Sequence, residues 1–133
     1  MLYSQKFDEA VMRSIGKASG SKSVNETIAW LRRGYYVNPD KFACEIFADY
    51  AFWAGSICKK HFRLYEIAVS KEYQRRGIGK MMIDRIKMMC RSHNLEKITF
   101  RTAKDEPAIE FYKAIGGVIV GDKGNDWEVE IKV

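Results

Sequence analysis

Proline, cysteine and long apolar runs are scarce in this sequence, and each shortage excludes a class of protein. Two prolines among 133 residues exclude proline-rich linkers and collagen-like repeats. No apolar run approaches the roughly 20 residues of a membrane-spanning helix, and residues 1–6 lack the charged-then-apolar order of a signal peptide. Hydrophobic residues still make up 47% of the chain, enough for an ordinary core. We therefore expect one compact domain over residues 1–133, located in the cytoplasm.

The cysteines are too few and too widely spaced for a disulfide framework or a zinc site. Cys44, Cys58 and Cys90 are odd in number and form no Cys-x-x-Cys pair. We expect thiols in or near the core, and no metal. His61 and His93 stand in polar surroundings without a set of neighbouring ligands, so they are expected at the surface.

The net charge of +6 is unevenly distributed along the chain. Residues 59–104 contain 13 Lys and Arg against 4 Asp and Glu, a net charge of +9, which leaves −3 for the rest. Such asymmetry favours an anionic ligand for the middle of the chain. Nucleic acid and a polyphosphate cofactor both satisfy this requirement, and charge alone does not choose between them.

The first third of the chain has helical periodicity. Apolar residues recur every three or four positions, at Phe7, Val11 and Ile15 and again at Val24, Ile28 and Leu31. Ser23 would cap the second helix with Glu26 three residues later, and Gly34 would end it.

Strand signals follow. Segments 42–47, 52–57 and 64–69 are rich in aromatic and β-branched residues and predict strands, the first two joined as a hairpin. Residues 78–94 predict an amphipathic helix and 97–101 another strand. Strand, helix and strand in this order form a β-α-β unit with parallel strands and a right-handed crossover.

The remaining sequence predicts one more helix and a hairpin. Asp105-Glu106-Pro107 is typical of a helix start, and Gly116-Gly117 would end that helix. Its expected buried stripe is Ala108, Phe111, Tyr112 and Ile115. Alternating residues in 127–133 pair with 118–120. The fold class is α/β (α+β), with a mixed, mostly antiparallel sheet and a central β-α-β unit flanked by helices.

One loop carries chemistry. The segment Gln74-Arg75-Arg76-Gly77-Ile78-Gly79 lies between a predicted strand and a predicted helix, where unpaired backbone N–H groups and the helix dipole favour phosphate. Glycines at 77 and 79 remove the Cβ atoms that would keep a phosphate from the backbone. A Walker loop and a dinucleotide-binding loop both fail on spacing, because Met81 and Met82 stand where their later residues would be.

This segment resembles the acyl-CoA loop of the GNAT superfamily of N-acetyltransferases, Gln/Arg-x-x-Gly-x-Gly/Ala. Its surroundings match as well: Ile67-Ala68-Val69 ends the preceding strand, and Ala108-x-x-Phe111-Tyr112 lies in the helix after the next strand. The resemblance covers most of residues 42–133. The sequence departs from the family pattern at Asp105, often Asn, and at Gly117, often Phe. The strand that would precede the two N-terminal helices is not evident.

The resemblance implies transfer of an acetyl group from acetyl-CoA to a primary amine by direct attack. It places the pantetheine arm between two splayed parallel strands, with a backbone N–H near Val69 stabilising the oxyanion. The implied cofactor-binding residues are Ile67, Ala68, Val69, Gln74, Arg75, Arg76, Gly77, Ile78, Gly79, Lys80, Asp105 and Tyr112.

Two residues are candidates for acid–base catalysis. Tyr112 matches the family tyrosine that protonates the departing thiolate, although its ring could instead simply fill the core. Glu66 is the only acid in 64–69 and is the candidate base for the attacking amine, with a water chain as the alternative. The resemblance implies that Tyr35-Tyr36 could line the acceptor site, because the turn after the second helix borders that cleft in the family; simple packing is the alternative.

Two rival functions remain. A GNAT-like domain that binds acyl-CoA without turnover would act as a sensor or partner module, and the departures at Asp105 and Gly117 leave this open. A basic nucleic-acid-binding protein is disfavoured, because the sequence has no RRM, zinc or helix-turn-helix signature. The expected partner is a small-molecule or peptide amine, with no membrane, and the chain would be a monomer or homodimer.

Overall fold

The computed structural model describes residues 7–21 and 24–133. Within these ranges the chain forms α1 (Glu9–Ser19), α2 (Val24–Val37), β1 (Phe42–Phe47), β2 (Ala51–Cys58), β3 (His61–Val69), a short 3₁₀ turn (Lys71–Tyr73), α3 (Ile78–Ser92), β4 (Lys97–Ala103), α4 (Ala108–Ala114), β5 (Gly117–Lys123) and β6 (Asp126–Lys132). The cap predicted at Ser23, and any strand before Phe7, lie outside the described residues. No helix in the described ranges is long and apolar enough to cross a bilayer.

The strands form one six-stranded sheet in the order β1-β2-β3-β4-β6-β5. Every neighbouring pair is antiparallel except β3 and β4, which are parallel and joined through α3. The mixed, mostly antiparallel sheet with a central β-α-β unit is therefore confirmed.

Helices cover both faces of the sheet. On the first face, hereafter the α3 face, Trp53 and Phe62 of the strands pack with Met82 and Ile86 of α3. On the opposite face, the α1–α2 face, Phe52, Cys44 and Ala68 pack with residues of α1 and α2 such as Met12 and Ile28. Each face is a closed apolar cluster, so the sheet separates two cores.

Three local predictions are wrong. Helix α2 does not end at Gly34 but continues to Val37, because Gly34 packs beside the Phe42 ring and Pro39 follows soon after the real end. Phe111 is 38% exposed, since α4 turns Ile109 toward the core instead. Cys44 and Cys90 are buried, but Cys58 is exposed because it ends β2 beside the turn at residues 59–60.

An ion pair anchors α3 to the sheet. The carboxylate of Glu45, which is buried on β1, accepts hydrogen bonds from Arg85 Nε at 2.8 Å and from Trp53 Nε1 at 3.1 Å. Removing one partner of such a pair would leave a buried charge unpaired, so the three groups hold α3 at a defined position. The N-terminus of α3 is thereby fixed relative to the sheet.

A β-bulge interrupts the pairing of β2 with β3. Ala54 pairs with Glu66 and Gly55 pairs with Leu64, so Tyr65 is an extra residue without an opposite partner on β2. An extra residue reverses the alternation of side chains beyond it. Leu64 accordingly packs on the α3 face, whereas Ala68 packs on the α1–α2 face.

We predict that Gly55→Ala destabilises the fold at this bulge. A Cβ at position 55 would lie 2.2 Å from the backbone oxygen of Arg63 and 2.7 Å from the Phe62 ring, so the strand must shift. A loss of about 1–3 kcal/mol in the free energy of unfolding is expected in urea denaturation.

The matched control is Gly121→Ala in β5, where a Cβ would make an ordinary contact of 3.5 Å with Glu128. Its free energy of unfolding should stay within about 1 kcal/mol of the wild type. Equal stability of both variants would contradict the close approach at Gly55.

Candidate active site

A cleft opens between the two parallel strands. β3 and β4 pair only through residues 61–63 and 97–99, near their beginnings. Beyond that point a cavity of about 560 Å³ lies between residues 64–69 of β3 and 100–103 of β4. The end of α1, the first turn of α2 and the start of α4 close its sides.

Each strand beside the cleft remains bound to its outer neighbour. β3 pairs with β2 as far as Val69 opposite Ala51, and β4 pairs with β6 as far as Ala103 opposite Asp126. Since the outer pairings persist while the inner one stops, the sheet splits between its two central strands. A split of this kind leaves backbone groups of both strands directed into the cavity.

Tyr112 of α4 lines this cavity. Its residue is only 8% exposed, and its ring packs on Phe100 of β4 with 4.4 Å between ring centroids. Burial raises the pKa of the Tyr112 phenol, and the carboxylates of Glu66 and Glu106 raise it further. The phenol therefore stays protonated throughout the physiological pH range.

Glu66 reaches the cavity because of the bulge. It pairs with Ala54, which packs in the α1–α2 core, and paired residues of antiparallel strands share a face. Without the extra residue Tyr65, Glu66 would share the face of Phe62 and Leu64 and enter the α3 core. The bulge thus places the carboxylate at the cavity wall.

The loop before α3 has two residues of positive φ. Arg75 has φ +64° and Gly77, the N-cap of α3, has φ +80°. Stacked side chains support the loop. The ring centroids of Tyr73 and Tyr50 lie 4.5 Å apart, and the Arg76 guanidinium lies 5.1 Å from the centroid of the Tyr73 ring. The first N–H groups of α3 have no acceptor within the helix, so they are available to an anion bound in front of the loop.

The two loop glycines differ in their surroundings. A Cβ at Gly77 would meet nothing within 4 Å, so this position has both open space and a backbone conformation suited to glycine. A Cβ at Gly79 would lie 3.1 Å from the ring of Phe111 on α4. The close packing of α4 is thus a second reason for glycine at position 79, besides the expected room for a phosphate.

Gln74 connects the loop to the cavity. Its side-chain Nε2 donates to the backbone oxygen of Val69 at 2.8 Å and to that of Ser19 at 3.3 Å. The first residue of the motif thus links the end of α1 to the end of β3.

The predicted site residues fall into two adjoining groups. Those that line the cavity are Glu66, Ile67, Ala68, Val69, Gln74, Asp105 and Tyr112. Those that form the loop and first turn of α3 are Arg75, Arg76, Gly77, Ile78, Gly79 and Lys80.

Of the two alternatives for Tyr35 and Tyr36, the structure shows packing at Tyr35, and neither residue lines the cavity. Both lie near the C-terminal end of α2, where Tyr35 packs on Phe7 and Phe42 and Tyr36 is exposed. The opposite end of α2 borders the cavity instead, through Glu26 and Thr27.

Further lining residues that sequence reasoning missed are Ser19, Gly20, Ser21, Arg101, Thr102, Glu106 and Asp126. Only Gly20, a glycine directly after a helical pattern, carried a signal in the sequence.

Comparison with known proteins identifies the family. Residues 33–116 match the family model described as the acetyltransferase (GNAT) family, and these residues contain the loop, both strands beside the cleft and Tyr112. The chain belongs to this family, whose members are acetyl-CoA-dependent acetyltransferases. No curated protein matches the chain by sequence.

Solved structures share the fold over nearly the whole chain. PaiA N-acetyltransferase from Thermoplasma acidophilum, solved with coenzyme A, is 19% identical, with a TM-score of 0.72 over 94% of this chain and 90% of that one. Ard1 from Thermoplasma volcanium is 24% identical, with a TM-score of 0.73 over 97% and 95%. The ribosomal-protein-S18-alanine N-acetyltransferase from Escherichia coli is 15% identical, with a TM-score of 0.76 over 98% and 91%. At these identities the likeness establishes the fold alone.

We predict a pH-dependent stability difference between the wild type and Tyr112→Phe. A tyrosine in an unfolded chain ionises near about pH 10, whereas the pKa of buried Tyr112 is raised. Above that pH the unfolded state binds fewer protons than the folded state, so the wild type loses stability as pH rises. Relative to Tyr112→Phe, its free energy of unfolding should fall by up to about 1.4 kcal/mol per pH unit.

Urea denaturation of both proteins at pH 8 and near pH 11 measures this difference. Comparison of the two proteins cancels the contributions of Cys44 and Cys90, whose pKa values burial also raises. A constant difference across this range would mean that Tyr112 titrates as it does in water.

Proposed function

We propose that the protein transfers an acetyl group from acetyl-CoA to a primary amine by direct attack, as a single domain over residues 1–133. The observation that carries this proposal is the joint placement of three features. A cleft between β3 and β4 leads from a phosphate-suited loop to the buried, protonated phenol of Tyr112. Membership of the acetyltransferase family supports acyl transfer as the reaction class.

The loop fits the phosphates of acetyl-CoA. Gly77 leaves open space in front of the N-terminus of α3, and the N–H groups of Ile78, Gly79 and Lys80 are directed there. Arg75 and Arg76 are exposed beside it and add positive charge. Solved relatives of the same fold include complexes with coenzyme A, which agrees with this assignment.

The end of β3 suits the thioester arm. The N–H of Ser70 donates to the backbone oxygen of Tyr50, toward β2. Because successive N–H groups of a strand alternate in direction, the N–H of Val69 is directed away from β2 and toward the cleft. That N–H would donate to the acyl oxygen as negative charge develops on it, and Ile67 and Ala68 would flank the arm. Asp105 could accept a hydrogen bond from an amide of the arm.

Tyr112 holds the proton that the leaving group needs. As the new C–N bond forms and the C–S bond breaks, electrons move to sulfur and the Tyr112 Oη proton follows them. The raised pKa keeps this proton in place before the reaction. Tyr112 then recovers a proton from solvent once the products leave.

Glu66 takes the proton from the amine, directly or through water. An amine attacks only with its lone pair free, so an ammonium group must lose one proton before the C–N bond forms. The nitrogen loses its second proton to solvent as the tetrahedral intermediate collapses to the amide and the thiolate leaves. The carboxylate of Glu66 lines the cavity on the face opposite to α3, from which an acceptor would enter. Acid and base therefore stand on opposite sides of the reacting carbon.

We predict that Tyr112→Phe lowers kcat and leaves the affinity for acetyl-CoA nearly unchanged. The hydroxyl acts only as the C–S bond breaks, while the retained ring still packs on Phe100. General acid catalysis contributes roughly 10²–10⁴-fold, and a loss in the lower half of that range is expected. Thiol release with a panel of amines measures kcat, and calorimetry measures affinity.

A Tyr112→Phe protein that acetylates a good acceptor at the wild-type rate would make Tyr112 a packing residue. Tight acetyl-CoA binding by the wild type with no transfer to any amine would support the sensor function instead.

We predict that Gly77→Asp weakens acetyl-CoA binding about tenfold more than Gly77→Asn. Both side chains tolerate the positive φ of this position and enter the same open space, so only charge differs between them. A carboxylate a few ångströms from a phosphate repels it by an energy of this order. Calorimetry with acetyl-CoA measures both variants, and equal affinities would place the phosphates elsewhere.

A further inference from the structure

We infer that the acceptor is a small aliphatic amine with a second cationic group, which Glu26 and Asp126 bind while its reacting nitrogen lies at Glu66. This inference rests on the proposed acetyl transfer and adds the substrate class. It depends on which face of the sheet each group occupies, on which carboxylates are already neutralised, and on the size of the cavity.

The two substrates approach from opposite faces. The N-terminus of α3 and the ring of Tyr112 belong to the α3 face, so acetyl-CoA occupies that side of the cleft. The other side is covered by the end of α1 and the first turn of α2. The acceptor therefore binds on the α1–α2 face.

Three carboxylates reach this half of the cavity from three separate elements. Glu26 comes from the first turn of α2, and Glu66 comes from β3 on the face of Ala54. Asp126 begins β6 opposite Ala103. Phe100 of β4 packs in the α3 core, so by alternation Ala103, and with it Asp126, lies on the α1–α2 face. All three carboxylates line the cavity.

Neighbouring acids of the same face are already paired. Glu128 bonds Arg63 and lies 3.7 Å from Arg101, and Glu130 bonds Lys97 at 2.8 Å. Among the residues that the structure describes, neither Glu26 nor Asp126 forms an ion pair. Arg101, the cation among the lining residues, is held near Glu128. The amine of Lys71 lies close to Gly20, another lining residue, and is a second positive charge at this side.

The acceptor side is therefore negative in a chain whose net charge is +6. Asp105 and Glu106 line the same cavity and add to this potential. A substrate with a single amino group would need only one carboxylate, Glu66, beside its nitrogen. Two further carboxylates on separate elements match a second ammonium group on the same molecule.

The volume of the cavity limits the shape of this molecule. About 560 Å³ must accommodate the thioester end of acetyl-CoA as well as the acceptor. A slender alkyl chain fits such a space better than a folded peptide or a ring system does. A short diamine satisfies both the charge and the volume.

The test compares 1,4-diaminobutane with 1-aminobutane, which have the same carbon chain and differ in the second amino group. Thiol release with acetyl-CoA gives kcat/KM for each amine. Calorimetry on the protein loaded with CoA gives the affinity for each without turnover. We expect the diamine to be favoured about tenfold or more by both measurements.

The double variant Glu26→Gln, Asp126→Asn should reduce this preference to within about threefold, because each lost charge contact accounts for a few-fold effect at a partly exposed site. Glu110→Gln is the control: this residue is 79% exposed on α4, outside the cavity, and should leave the preference unchanged. Added salt should lower the preference of the wild type as well.

Equal affinity for the two amines, or a preference that survives in the double variant, would overturn the inference. So would stronger acetylation of a neutral short peptide than of the diamine. If neither amine releases thiol although acetyl-CoA binds, the proposed transfer fails. Diamine-selective binding by the CoA-loaded protein, lost in the double variant, would support the acceptor site independently.

Discussion

The separation of β3 from β4 is the constraint on which the other features of the site depend. Two parallel strands in a continuous sheet would satisfy each other's backbone groups and leave no room between them. Here their pairing stops after residue 63, while the outer pairings hold each strand in place. The cavity and the place of Tyr112 in its wall both follow from that single break.

The bulge at Tyr65 adds a carboxylate to the cavity that this break opens. One extra residue turns Glu66 away from the α3 core and brings it to the cavity on the α1–α2 face. The close approach of Gly55 to the backbone of Arg63 shows why a glycine stands beside the bulge. Local strand geometry, rather than a specialised loop, therefore determines which carboxylate of β3 lines the cavity.

Local signals in the sequence predicted the β-α-β unit and the loop before α3, because strand alternation, helix periodicity and the glycine pair are short-range patterns. Properties set by tertiary packing escaped prediction. The sequence shows that α2 is a helix but not which of its ends meets the cleft, so the contribution of Glu26 and Thr27 to the cavity is not evident from the sequence. The exposure of Phe111 is not evident from the sequence, because α4 is short and its rotation depends on the elements it packs against. The face of Asp126 depends on strand register, which spacing alone does not reveal.

The contact between Gly79 and Phe111 means that the second glycine of the motif determines how closely α4 approaches α3. Helix α4 has only seven residues, too few to be stable by itself, so its position is determined by its contacts with neighbouring elements. Phe111, the residue directly before Tyr112, packs against α3 at Gly79. The bare backbone at position 79 therefore sets how far the phenol stands from the anion-binding end of α3. In the proposed reaction, the absence of a Cβ at position 79 would thus match the distance between the bound phosphates and the proton donor to the length of the cofactor.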